Sequence, residues 1–243
     1  SLLNSDSRIV LGTAQLGLPY GIANQGANPE QKNMTEIIQE AWDNGIYEFD
    51  TAQGYGESEK FLGKALTSLG INDKVKLISK FHPSLNHLNQ KEMREALEAS
   101  LELFKVPCIS GMMLHNEDIF NHWEEGVGDV LQGLKQDGLI QQVGVSVYSP
   151  EMALKAVNTE SIDLIQMPTN IWDRRFEKTA IFEIAKAKGK QIYIRNVFLQ
   201  GLILMAQDSL PDGMDFTIPT LDLLDEVCEE YGLTRQEISL GYM

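Results

Sequence analysis

The chain has 243 residues, 43% of them hydrophobic, with 35 acidic side chains against 20 basic ones for a formal net charge of -15. A field of that sign repels polyphosphate, which argues against a general nucleic-acid or anionic-membrane surface but leaves room for a small phosphate-bearing molecule where a few cations converge. Cys108 and Cys228 lack the spacing of a disulfide framework or zinc site, and no run approaches the ~18 uninterrupted apolar residues of a membrane span. Both thiols are expected to be buried in a reducing, cytoplasmic compartment, with no nucleic-acid or membrane partner.

Short apolar runs alternate with amphipathic helical patterns, the mark of repeated βα units. The first strand is expected at RIVLGT, 8 to 13. A helix follows on Met34, Ile37, Ile38, Ala41 and Trp42, with Asn33 and Glu36 as a capping pair and Gly45 as its stop. Strand IYEFDT (46 to 51) leads to a helix through Phe61, Leu62, Ala65, Leu66 and Leu69 that ends before Gly70. Strand VKLISK (75 to 80) precedes a helix with Met93, Ala96, Leu97, Ser100, Leu101 and Phe104 on one face. The remaining strands are ISGMML (109 to 114), QVGVSV (142 to 147), DLIQM (163 to 167) and QIYIRN (191 to 196), with helices near 123 to 136, 150 to 157 and 176 to 188. Two further helical patterns, IPTLDLLDEVCEEYG and LTRQEISLGYM, follow, the first with Leu223, Leu224 and Val227 inward. No low-complexity linker interrupts residues 1 to 243, so one domain is expected. Such alternation suits a doubly wound open sheet as well as a barrel.

The polar groups at the carboxyl ends of the strands are more informative. Asp50, Lys80, His115, Ser146, Gln166 and Arg195 each end or follow an apolar run, and in parallel α/β folds that end carries the chemistry. Tyr55 stands in a glycine-flanked loop five residues after Asp50. A phenol with an unperturbed pKa of about 10 needs a cation beside it to exchange protons near neutrality. Lys80 can supply the charge, Asp50 can hold a buried lysine charged, and His115 as a neutral donor can polarise a substrate oxygen. His82 and His87 in FHPSLNH read as a solvated loop, with no carboxylate or cysteine at ligand spacing, so no metal is expected.

These residues sit in FDTAQGYGESE (49 to 59), ISK (78 to 80), LHN (114 to 116), VGVS (143 to 146) and IQMPTN (165 to 170). In order and spacing the sequence resembles the aldo-keto reductase family across essentially its whole length. The resemblance implies an α/β fold of the TIM (β/α)8 type, here C-terminally incomplete without its final strand-helix unit. It also implies NADP(H) bound in extended form, in keeping with the absence of a G-x-G-x-x-G turn opening a helix. Tyr55 would then be the general acid, Lys80 its modulator, Asp50 the lysine's partner and His115 the orienting donor, reducing an aldehyde or ketone, sugar-like substrates among them. Gly12, Thr13, Ser146, Gln166 and Arg195 match positions that approach the cofactor. Two departures stand out: Ser146-Val147 where most members have Ser-Asn, and Arg195 where many place an aromatic ring against the nicotinamide. A guanidinium can stack on a planar ring, or hold an acidic substrate or a cofactor phosphate. The resemblance also admits a second reading, a cofactor-binding or regulatory module with little turnover.

Overall fold

The computed structural model describes residues 9–14 and 31–242. All seven expected runs contain strands: β1 (Leu11–Gly12), β2 (Glu48–Asp50), β3 (Lys76–Lys80), β4 (Ile109–Leu114), β5 (Ile140–Ser146), β6 (Leu164–Pro168) and β7 (Gln191–Arg195). Arg8, which opens the first expected strand, lies outside the described residues. The strands pair in parallel in chain order, forming one seven-stranded sheet. The Tyr193 hydroxyl of β7 lies 3.3 Å from Glu48 Oε2 of β2. In a flat sheet, strand spacings of about 4.8 Å would hold these two strands far apart, so the sheet curls back on itself as a partial barrel. Sequential strand order together with this curl decides against the doubly wound alternative.

The helices are α1 (Gln31–Asp43), α2 (Ser58–Leu69), α3 (Gln90–Phe104), α4 (Glu117–Phe120), α5 (Val127–Gln136), α6 (Pro150–Asn158), α7 (Ile181–Lys188), α8 (Ile218–Tyr231) and α9 (Arg235–Gly241). Gly70 ends α2 in the left-handed conformation (φ 66), where a side chain would be strained. The Asn89 side chain accepts from the backbone of Lys91 and Glu92 at the start of α3. Ser149 caps α6 by accepting from Met152 N, and Pro150 fixes its first turn.

Several details depart from the sequence reading. Asn33 lies inside the first turn of α1 and is not its cap, because the helix begins at Gln31. Gly126, at φ 123, breaks the helix expected over 123 to 136 into a 3-10 turn (Trp123–Glu125) and α5. The helix expected over 176 to 188 likewise divides into a 3-10 turn (Phe176–Lys178) and α7. In α8 the buried residues are Leu221 and Leu224, while Leu223 is 60% exposed, one position off the buried stripe. Cys108 and Cys228 are free thiols and only half-buried. After β7 the described residues form 3-10 turns and then α8 and α9, without an eighth strand. No helix among the described residues is long and apolar enough to cross a membrane.

Strand alternation divides the core in two. Phe49, Leu77, Met112, Leu114, Val143, Val145, Ile165 and Met167 face outward into one cluster with helix residues such as Leu62, Leu66, Met93 and Leu97. Ile78, Met113 and Leu164 form a separate inner cluster, with Tyr193 packed against it. Glycines opposite make room for this plug. A Cβ on Gly111 would stand 2.6 Å from Leu164 Cδ1, and one on Gly144 would stand 2.6 Å from Leu164 Cβ and 2.7 Å from the Leu164 carbonyl oxygen. Two residues further along their strands, the same inward face presents Lys80, Gln166 and Arg195 above an apolar floor.

Candidate active site

The loop after β2 is tied down before it delivers Tyr55. Gln53 N donates to Lys80 O (3.0 Å). The Gln53 side chain accepts from His82 N (2.9 Å) and donates to Ala96 O (3.0 Å) and Ser100 Oγ (2.9 Å). The loop is therefore pinned to β3 and α3 at once. Gly56, at φ 57, allows the turn into α2. Behind it, buried Ser58 donates to Thr13 O (2.9 Å) and shares hydrogen bonds with the hydroxyls of Thr13 (2.8 Å) and Thr51 (2.9 Å). Thr13 Oγ1 in turn donates to Asp50 O (3.0 Å), so its hydroxyl is engaged in holding β1 to β2.

Lys80, at the end of β3, is buried, and its Nζ lies 2.6 Å from Asp50 Oδ1 and 3.1 Å from Thr51 O. Burial pulls the lysine below its ordinary pKa, and Asp50 opposes that shift through its charge and hydrogen bond. The Lys80 ammonium stands 5.3 Å from the centre of the Tyr55 ring. His115, just past β4, meets Tyr55 edge to face, with ring centres 5.7 Å apart and planes at 88°. Its pKa is pushed down to about 4, first by burial and then by the electrostatic influence of Lys80, His82 and Arg195. At neutral pH the imidazole is uncharged and carries one N–H, and its Nδ1 is buried without a hydrogen-bond partner among the described residues. Gly54 keeps this corner open, since a Cβ there would stand 3.3 Å from His115 Cε1 and 3.7 Å from His82 Cδ2.

Asp50, Tyr55, Lys80 and His115 are thus brought into one contiguous cluster. Ser146 and Gln166, buried and paired in register across β5 and β6, stand at the same end of the sheet. Gln166 Oε1 is buried without a partner among the described residues. Gly12 pairs with Asp50 in register, and no atom of the described residues lies within 4 Å of where its Cβ would be. The Arg195 guanidinium carbon sits 4.2 Å from the centre of the Tyr148 ring, and the guanidinium Nε and Nη2 are buried without partners among the described residues.

A sequence profile of the Aldo/keto reductase family matches residues 8–243. The chain belongs to the aldo-keto reductase family. It is 30% identical over 183 residues to the aldo-keto reductase YhdN of Bacillus subtilis (strain 168), a match covering 72% of this chain and 54% of YhdN. The chain therefore spans about half the length of that relative. Among solved structures it resembles a glycerol dehydrogenase from Gluconobacter oxydans at 25% identity and TM-score 0.76, over 96% of this chain and 77% of that one. An aldo-keto reductase from Bacillus halodurans, solved in its holo form, shares the fold at 24% identity and TM-score 0.71, covering 90% of this chain and 72% of that one.

Around the cluster, this aldo-keto reductase places groups whose role the sequence pattern does not reveal. His82 and Tyr148 border the site, yet both sit in loops whose path no periodicity reveals. Glu59 is buried against Ser79 (2.5 Å) and Ser100 (2.9 Å), and burial raises its pKa. His87 corrects the solvated-loop reading of FHPSLNH: His82 is exposed as expected, but His87 is buried and its pKa is lowered by that burial. Among the described residues no group of three or more His, Cys, Asp or Glu side chains is placed to hold a metal ion.

Proposed function

We propose that this aldo-keto reductase reduces the carbonyl of an aldehyde or ketone to an alcohol, with NADP(H) as cofactor and Tyr55 as the proton donor. The observation that carries this reading is the contiguous run from Asp50 through Lys80 to Tyr55 and His115. The cofactor fits the residues at hand. The partnerless acceptor Gln166 Oε1 and the adjacent Ser146 hydroxyl suit a planar carboxamide, and the space beside Gly12 admits a close approach. When bound, NADPH supplies the hydride that the carbonyl carbon accepts.

The chain's own residues handle the oxygen. Neutral His115 and the Tyr55 hydroxyl are both hydrogen-bond donors, and a carbonyl oxygen placed between them is oriented and polarised. As negative charge grows on that oxygen, Tyr55 gives it a proton. The Lys80 ammonium lowers the energy of the charge left on the phenol oxygen. Asp50 keeps the buried ammonium charged and aimed, since an unpaired ion there would cost several kcal/mol, roughly 3 to 5.

Two measurements on the full chain test the reading: NADPH binding by fluorescence quenching, and NADPH oxidation with a panel of aldehydes and ketones. Turnover that Tyr55→Phe abolishes while NADPH still binds supports it. Binding without turnover on any carbonyl would instead mark a cofactor-binding module on this scaffold.

A further inference from the structure

Arg195 is a cation whose charge has no counterpart among the described residues. It stands two residues beyond Tyr193 on β7, and Tyr193 packs on the inner plug of Ile78, Met113 and Leu164. Strand alternation therefore sets Arg195 on the same inner face, one layer nearer the mouth. Tyr148 covers the guanidinium at 4.2 Å, and Nε and Nη2 are buried with no acceptor among the described residues. No acidic side chain among the described residues forms an ion pair with Arg195.

The two empty donors have a specific geometry. Nε and one Nη form the side-on fork of a guanidinium, which matches the two oxygens of a carboxylate or phosphate. Elsewhere in this chain the same pair grips carboxylates: Arg175 holds Asp173 through Nε and Nη2, each at 2.8 Å. Arg235 holds Asp225 through Nε and Nη2, each at 2.6 Å. Arg195 offers that fork beside the catalytic cluster without an oxygen of the described residues to fill it. Leaving charged donors buried and unpaired is costly, and the cost is removed when a ligand supplies the acceptor. A protein carboxylate at this point would have neutralised Arg195. None standing there among the described residues, an incoming oxyanion is the group the fork can accept.

We infer that Arg195 determines specificity by taking a carboxylate or phosphate of the substrate through Nε and Nη2, so that the preferred substrate is an acidic aldehyde or ketone. This rests on the carbonyl-reductase reading above. The same fork could serve a phosphate of the cofactor, and the experiment has to tell the two sources apart.

The test compares the full wild-type chain with Arg195→Met and Arg195→Lys on matched carbonyl pairs: succinic semialdehyde against butanal, and glyceraldehyde 3-phosphate against glyceraldehyde. Wild type should favour the charged member of at least one pair by about 30-fold or more in kcat/KM, the size expected when a buried charged contact is truncated. Arg195→Met should collapse that ratio. Arg195→Lys should restore part of it, because the charge returns without the fork. An unchanged ratio in Arg195→Met overturns the inference. So does an NADPH affinity, read by fluorescence quenching, that falls as far as the charged-substrate kcat/KM, since that would put the guanidinium on the cofactor.

A second arm does not depend on turnover. NADP+-loaded protein is titrated calorimetrically with succinate and with inorganic phosphate. Saturable binding that Arg195→Met removes sustains the oxyanion site even if no carbonyl in the panel is reduced, an outcome that would count against the reductase reading alone. Absence of binding to the loaded wild-type protein overturns the oxyanion site itself.

Discussion

Lys80 Nζ and Asp50 Oδ1 lie 2.6 Å apart at the ends of neighbouring strands, the lysine side chain 1% exposed and the aspartate 15%. The pair is asymmetric: the cation is wholly enclosed while the anion touches solvent. Asp50→Asn should therefore do more than weaken a bond, because it strands an ammonium that burial already disfavours. Removing one partner of such a pair costs about 3 to 5 kcal/mol. Urea unfolding should show this as a lowered midpoint. The double variant Asp50→Asn/Lys80→Met should recover much of the stability without recovering turnover, separating the pair's structural cost from its use.

Tyr55→Phe removes one oxygen and leaves the ring that packs edge to face on His115. Loss of a positioned general acid costs roughly 10²- to 10⁴-fold in rate. That drop is expected in kcat, with NADPH affinity retained and the urea midpoint moved far less than in Asp50→Asn. A fall in kcat of under tenfold would remove Tyr55 from the proton-donor role.

The pattern of polar groups ending apolar runs was enough to gather Asp50, Lys80, His115, Ser146, Gln166 and Arg195 at one end of the sheet, because parallel strands bring their carboxyl ends together whatever the loops do. What alternation could not supply was anything set by a loop path or by packing. Tyr148 meets Arg195 only because the chain after β5 turns over the mouth, and the guanidinium's fork is empty only because no carboxylate of the described residues reaches it. Leu223 was misplaced for a related reason. Positions 221 and 224 define one buried stripe and 223, 224 and 227 another, and only the surface beneath α8 selects between them. Asn33 looked like a cap because its residue type favours one, but the helix had already begun two residues earlier.

His115 ties stability to pH. Its folded-state pKa of about 4 lies below the ordinary 6.5, so between these values the unfolded chain binds a proton that the folded chain refuses. Stability from this residue is therefore complete above about pH 6.5 and is lost as pH falls toward 4. Urea midpoints measured from pH 7 to pH 4 should fall more steeply in wild type than in His115→Asn, which has no imidazole to titrate. Parallel slopes would mean that His115 is protonated as readily in the folded chain as in the unfolded one.

Gly63 lies in the interior of α2, where replacing glycine with alanine ordinarily gains about 0.5 to 1 kcal/mol. Here the sign should reverse. An added Cβ would stand 2.1 Å from the Leu103 carbonyl oxygen and 2.8 Å from its carbon. These are backbone atoms of α3, which cannot rotate away, so the two helices must separate at an overpacking cost of about 1 to 3 kcal/mol or more. That movement reaches the site, because Glu59 of α2 bonds to Ser100 of α3 at 2.9 Å, and Ser100 in turn receives the Gln53 side chain that pins the Tyr55 loop. Gly63→Ala should lower the urea midpoint and also reduce kcat, whereas Gly70→Ala should cost stability with little effect on kcat. Gly70 is left-handed at the far end of α2, and no atom of the described residues lies within 4 Å of its Cβ position. A Gly63→Ala variant as stable as wild type would show that α2 and α3 can part without strain, and the close approach would then have no bearing on the loop.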